Sequence, residues 1–175
     1  GYDPLRDIQV ITPAKQGPLG TRELNRLLQG KLNPPERGKG EATLMGRTLR
    51  EGDKVMQIRN NYDIIWQQPD GTAGTGIFNG DMGIIEMLDP GSKTIQVRFE
   101  EKLATYSFEN QDQLEHAYAV TVHKSQGSEL EAVVMPLERR HPKLHYRNLL
   151  YTAVTRARKL LIMTGQKETV YAMVS

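Results

Sequence analysis

The chain contains no cysteine, which excludes a disulfide framework and a thiolate metal site and fits a reducing, cytoplasmic location. It has no apolar run near the roughly 20 residues that cross a bilayer, and no signal peptide, so a soluble protein without a membrane partner is expected. There is no initiator methionine, and Gly1 to Arg6 are expected not to be a natural amino terminus. Internal repeats and low-complexity tracts are missing as well. Three chemistries are excluded by what their motifs lack. The glycine-rich run Pro69 to Gly76 has no strand-then-helix setting and no Lys-Ser or Lys-Thr after it, so it reads as a flexible hairpin tip rather than a phosphate loop. His141 and His145 stand four apart, yet no glutamate accompanies them and Pro142 lies between, so no metal site is expected. Ser125 beside His123 lacks the glycine elbow and the acid of a hydrolase.

What the chain does have is 175 residues, enough for one domain or one with a small insert, and a net charge of only +2. That total conceals an asymmetry: seven basic against five acidic residues in 1–46, seven against 12 in 47–115, and nine against four in 116–175. Basic flanks suit a polyanion such as a nucleic acid or a nucleotide, whose phosphates they neutralise. The central stretch is Ala117 to Glu129, AYAVTVHKSQGSE. Tyr118 to Val122 is the short apolar, β-branched run of a buried parallel strand. His123, Lys124, Ser125, Gln126, Gly127, Ser128 and Glu129 follow it, all polar or glycine. The loop beyond a strand's carboxyl end is where open α/β sheets bind ligands; the blander alternative is a strand exit whose polar groups cap the next element.

A second stretch, Leu149 to Lys159, reads LLYTAVTRARK. Helical spacing puts Leu149, Leu150, Ala153, Val154 and Ala157 on one face, predicted to be buried, with Arg156 at its border. Arg156 is then either a half-sheltered guanidinium able to reach across a cleft, or a cation at a helix C-terminus worth about 0.3 to 1 kcal/mol through the macrodipole.

Elsewhere, Asp7 to Thr12 read as a strand ended by Pro13, and Ala14 to Gly20 as a loop able to expose backbone N–H groups. Thr21 is the predicted N-cap of a helix carrying Leu24, Leu27 and Leu28 and stopped by Gly30. Leu32 to Thr48, rich in proline and glycine, reads as a linker without a packed element. From Gly52 the pattern turns all-β, with strands predicted at Asp53 to Arg59, Gly83 to Leu88, Thr94 to Glu100 and Leu103 to Glu109. These make a small barrel with little core of its own. A strand at Ala132 to Leu137, a helix at Tyr146 to Ala157, a strand at Leu160 to Thr164 and a helix near Glu168 to Met173 complete an α/β pattern. The expected fold is α/β: a parallel-sheet domain formed by 1–46 and 116–175, interrupted by a β-barrel at 47–115.

TVHKSQGSE and YTAVTRAR, in this order and at this separation, resemble motifs V and VI of superfamily 1 nucleic-acid helicases. The resemblance is closest to the RecD-like branch (exodeoxyribonuclease V alpha subunit type), which has Ser-Gln as at Ser125 and Gln126. VITPAKQGPLGTRELN at Val10 to Asn25, GDKVMQIRNNYD at Gly52 to Asp63 and FNGDMG at Phe78 to Gly83 extend it over most of the chain. It implies a second, RecA-like motor domain interrupted by an SH3-like barrel, within a DNA helicase of repair and recombination that is driven by ATP 5′ to 3′ along single-stranded DNA. It further implies that Arg156 stabilises charge on the γ-phosphate, that Gly127 and Glu129 lie near the nucleotide (Glu129 through the ribose), and that Gln126 relays between sites. Thr121, His123, Lys124 and Ser125 then face DNA, with Thr12 and Lys15 as phosphate contacts and Asn25 as a further one.

Because neither GxxxxGK[ST] nor an Asp-Glu pair after a strand is present, the cradle for ATP and the Mg²⁺ ligands are expected upstream of Gly1. Expected partners are single-stranded DNA, the N-terminal motor domain of the same protein, and nuclease or helicase subunits. Two alternatives stay open on the residues alone. One is a free-standing single-strand-binding module without ATP chemistry, which leaves Arg156 and Glu129 without a job. The other is the helicase part of a conjugative relaxase, which shares these motifs.

Overall fold

The computed structural model describes residues 1–125, 130–138 and 146–174. The expectations for Gln126, Gly127, Glu129, His141 and His145 fall outside the described residues. In chain order the elements are β1 (Ile8–Thr12), α1 (Thr21–Leu32), β2 (Glu41–Leu44), β3 (Arg47–Arg50), β4 (Lys54–Gln57), β5 (Asn61–Gln67), β6 (Ala73–Ile77), β7 (Met82–Asp89), β8 (Thr94–Phe99), β9 (Lys102–Ser107), a 3₁₀ turn (Phe108–Gln113), β10 (Leu114–His116), β11 (Ala119–Thr121), β12 (Leu130–Pro136), α2 (Tyr146–Arg156), β13 (Ala157–Thr164) and α3 (Lys167–Val174). They form two compact units, Gly1–Leu28 with Tyr118–Ser175, and Gln29–Ala117. No helix among the described residues is long and apolar enough to cross a membrane.

The first unit is built on a four-stranded sheet in the order β11-β1-β12-β13, every pairing parallel. Strands β11, β1 and β12 are apolar runs that are buried, Ile11, Val120, Val133 and Met135 all being 5% exposed or less, whereas edge strand β13 leaves Leu160, Ile162 and Met163 38 to 43% exposed. Helix α2 packs on β12 and β13 and against α3. Ala153 is the α2 residue sealed against the sheet, at 0% exposure, but Val154 is 51% exposed. Of the five residues predicted to be buried only Ala153 is, with Leu149, Leu150 and Ala157 half-buried, and a step of about 100° carries Val154 off the narrow stripe that Ala153 occupies. Ala157 is the first residue of β13, not the last of the helix.

Helix α1 also departs from expectation. It runs two residues past Gly30, and its N-cap is Gly20, whose carbonyl accepts the N–H of Leu24 at 3.0 Å. A Cβ at Gly20 would stand 2.6 Å from the backbone of Gln16, so the tight loop before the helix requires glycine there.

The second unit is a seven-stranded sheet in the order β10-β4-β7-β8-β9-β5-β6 with antiparallel pairings, plus the β2-β3 hairpin. No pairing joins β10 to β6, so the sheet is not closed by hydrogen bonds as the expected barrel would be. It has a core of its own, containing Leu49, Val55, Ile77, Ile85, Ile95, Val97, Tyr106 and Leu114, each 1% exposed or less. The stretch expected to be an unpacked linker, Leu32 to Thr48, adds to it: β2 and β3 pair, and Ala42 and Leu44 pack against the core.

Beneath the hairpin lies a buried acid, Asp53, at 0% exposure. Its carboxylate accepts hydrogen bonds from Gln29 Nε2 (2.8 Å), Asn33 Nδ2 (2.8 Å) and the Arg50 backbone N–H (2.8 Å), and lies 3.1 Å from His116 Nε2. Such dense pairing is what permits a carboxylate to be buried.

Candidate nucleic-acid and nucleotide site

Strand register sorts the first unit's candidate residues into two groups. Val10 stands level with both Ala119 and Val134, so Thr12, Thr121 and Pro136 end their strands together at the carboxyl edge of the sheet. Leu130 pairs with Ala157, which puts Arg156, the residue before Ala157, at the amino edge. From Leu130 to Pro136 along β12 is about 20 Å at roughly 3.3 Å per residue. The 123–124 turn and the Arg156 guanidinium therefore lie at opposite edges of one sheet, a separation the one-dimensional motif order does not display.

At the carboxyl edge, β11 runs into a tight turn. Ser125 N–H donates to the carbonyls of Thr121 (3.1 Å) and Val122 (3.2 Å), Ser125 Oγ donates to Val122 O (2.7 Å), and Lys124 N–H reaches Thr121 Oγ1 at 3.4 Å. Ser125 is 0% and Thr121 8% exposed. Their hydroxyls bond within the turn itself. Thr12, the other hydroxyl expected to meet DNA, is likewise 0% exposed, with its hydroxyl donating to Leu19 O at 2.5 Å. What the turn presents outward is His123, exposed, and Lys124, half-buried.

The neighbouring loop, 14–20, presents exposed Lys15. Its fold is held through its carbonyls: Gly20 N–H bonds Gly17 O (3.0 Å), Thr21 N–H bonds Ala14 O (3.0 Å) and Arg22 N–H bonds Lys15 O (3.3 Å). An anion would be met by the Lys15 side chain. Asn25, read from the sequence as a further phosphate contact, is 8% exposed and turned inward to β11.

At the amino edge, Arg156 closes α2 and is half-buried. Its Nε is enclosed and has no hydrogen-bond partner among the described residues. A buried cationic donor left without an acceptor is costly and uncommon. The macrodipole accounts for a cation at this helix end but not for an enclosed N–H without a partner. An anionic oxygen brought to this edge would satisfy it, so the residue fits a phosphate. No group of three His, Asp or Glu able to hold a metal occurs among the described residues.

Residues 24–99 match the family model described as the ATP-dependent RecD-like DNA helicase SH3 domain, and residues 116–164 match the UvrD-like helicase C-terminal domain. The ATP-dependent RecD2 DNA helicase of Deinococcus radiodurans is 35% identical over 158 residues, covering 90% of this chain and 20% of that protein. The chain carries the SH3 domain of the RecD-like DNA helicases and a UvrD-like helicase C-terminal domain.

The chain is also 27% identical over 171 residues to the RecBCD enzyme subunit RecD of Mycobacterium tuberculosis, covering 98% of itself and 27% of that subunit. It thus spans about a fifth to a quarter of the length of these relatives. Among solved structures, Pif1 helicases acting at forked duplex DNA superpose with a TM-score of 0.61 at 19% identity, over 99% of this chain and 43% of that one. Bacteroides Pif1 bound to single-stranded DNA gives 0.57 at 18%, over 95% and 44%. At these identities the likeness is one of fold: a RecA-like helicase domain with an SH3 insert.

Proposed function

We propose that this chain is the carboxy-terminal motor portion of an ATP-dependent DNA helicase that moves 5′ to 3′ on single-stranded DNA. In this reading residues 1–46 and 116–175 form the second motor domain and 47–115 the insert. The observation that carries it is the division of labour across one sheet, with outward cations at the carboxyl edge and an arginine with an unpartnered, enclosed N–H at the amino edge. Lys15 and Lys124 neutralise DNA phosphates and His123 faces the DNA beside them, while Thr12, Thr121 and Ser125 hold the loops that present them. Arg156 holds its planar fork toward the γ-phosphate, where developing negative charge strengthens the contact. Gly127 and Glu129 lie near the nucleotide, Glu129 toward the ribose, and Gln126 relays between the edges. ATP with Mg²⁺, held by the N-terminal motor domain of the same protein, supplies the transferable phosphoryl group. Nuclease or helicase subunits are further proposed partners, a reading supported by the M. tuberculosis relative being named a RecBCD enzyme subunit.

Two measurements test this reading. The 175-residue chain alone is expected not to hydrolyse ATP, since it has no GxxxxGK[ST] cradle; DNA-stimulated phosphate release that co-purifies with the chain to homogeneity would refute this. In the full-length protein, Lys15→Ala and Lys124→Ala should each weaken single-stranded DNA binding across all sequences tested, and each should flatten the dependence of log affinity on log salt by about 0.7. Unchanged salt slopes, or losses confined to particular sequences, would remove both lysines from a DNA track.

A further inference from the structure

β11 is the edge strand of the first unit's sheet, so the groups on its outer side have no neighbouring strand to pair with. At Ala119 that role is taken by a side chain. Asn25 Nδ2 donates to Ala119 O at 2.9 Å, and Asn25 Oδ1 accepts the Ala119 N–H at 2.8 Å. A carboxamide carries the same donor and acceptor pair as a peptide unit, so one asparagine stands in for a residue of the missing strand. Asn25 is the one residue of α1 classed as buried, at 8% exposure, in a helix whose Leu27 and Leu32 are 48% and 40% exposed. The helix thus spends its inward position on a polar clamp.

The clamp stands between the two loops that carry the outward cations. On one side, α1 starts one turn before Asn25, where Arg22 N–H bonds the carbonyl of Lys15 itself and Thr21 N–H bonds Ala14 O. On the other, Thr121 lies two residues beyond Ala119 and anchors the turn bearing His123 and Lys124 through its carbonyl and hydroxyl. We infer that Asn25 is a positioning residue that fixes the Lys15 loop relative to the His123–Lys124 turn, so that the two cation sites meet successive phosphates of one strand at a set spacing. This rests on the reading above that these cations contact DNA. The binding of a flexible polyanion by separated cations gains from such preorganisation, because the loops need not be ordered at the moment of binding.

The test is steady-state ATP turnover of the full-length protein as a function of single-stranded DNA concentration, with Asn25→Ala, Lys124→Ala and the double variant. Asn25→Ala should raise the half-saturating DNA concentration about tenfold, as expected for losing a buried hydrogen-bonded clamp, while turnover at saturating DNA changes less than about twofold. The double variant should be clearly less than the product of the singles, because a misplaced turn has already lost the benefit of its lysine. Asn25→Asp keeps an acceptor for the Ala119 N–H but no donor for its carbonyl, and should fall between wild type and alanine, which keeps the test available if Asn25→Ala does not fold. Hydrogen exchange over 119–125 should quicken in both variants.

If Lys124→Ala raises the half-saturating concentration but both Asn25 variants leave it unchanged and only lower the melting temperature, Asn25 is a structural residue and the inference fails while the DNA reading stands. Multiplicative effects in the double variant would equally overturn it. If Lys15→Ala and Lys124→Ala are themselves without effect on DNA dependence, the DNA reading fails and takes this inference with it.

Discussion

Replacing Arg156 by alanine in the full-length protein is expected to lower DNA-stimulated ATP turnover by roughly 10³- to 10⁵-fold, about 4 to 7 kcal/mol of transition-state stabilisation. The expectation follows from where the guanidinium sits. It closes α2 at the amino edge of the sheet with an enclosed Nε that meets no acceptor among the described residues. A contact that strengthens as charge develops costs rate rather than nucleotide affinity when it is removed. Folding should be little changed, because Arg156 makes no ion pair among the described residues that its removal would break. Arg156→Lys should rescue little, since an ammonium cannot reproduce the planar fork. Turnover at saturating ATP and DNA, with melting temperature as control, decides the matter. Activity within about tenfold of wild type would reduce Arg156 to a cation at a helix end.

A comparably large effect, on stability rather than rate, is expected in the second unit at Asp53. Its carboxylate collects Gln29, Asn33, the Arg50 N–H and His116 at 0% exposure. Asp53→Ala strands those donors together, so the loss should be near the 3 to 5 kcal/mol typical of removing one partner from a buried charged cluster, approximately. Against a domain stability of about 5 to 15 kcal/mol that is a large share. Urea unfolding of Asp53→Ala and Asp53→Asn measures it. The asparagine variant should be the milder, keeping one acceptor oxygen, and a loss below about 1 kcal/mol in the alanine variant would show that the cluster contributes little net stability.

The parallel sheet was legible because its strands are short β-branched runs flanked by polar loops, and β1, β11, β12 and β13 all lie within a few residues of their predicted places. The second unit was legible only where alternation was clean, as in β8, whose Ile95, Val97 and Phe99 point inward. β5 was missed because only Ile64 of its seven residues is buried, and the outward Tyr62 and Ile65 break the period. β6 was masked by its glycines. Gly74 resembles a loop residue, yet a Cβ there would come within 2.5 Å of the Trp66 ring, so it is a strand position over which an indole packs. The β2-β3 hairpin hid behind the Pro34, Pro35, Gly38 and Gly40 that precede it; its tip, Met45 at φ 50° and Gly46 at φ 74°, is a turn that turn statistics give to Asn-Gly rather than Met-Gly.

In the candidate site, residue type separated polar from apolar but not inward from outward. Thr12, Thr121 and Ser125 look like ligand contacts in a string of letters, and each is instead held by backbone bonds within a few residues of itself. The signal available for Asn25 was its four-residue spacing with Gln29 in α1 and with Asn33 just beyond the helix, a stripe of carboxamides.

The most direct test of the account is its claim that the two edges of one sheet do different work. ATP turnover of the full-length protein should be measured against single-stranded DNA concentration for Lys124→Ala and Arg156→Ala side by side. Lys124→Ala is expected to shift the half-saturating DNA concentration and to recover turnover when DNA is raised, whereas Arg156→Ala is expected to stay inactive at every DNA concentration while binding DNA normally. If both variants lose the same parameter, or if excess DNA restores Arg156→Ala, the edges are not separated in function and the account is contradicted.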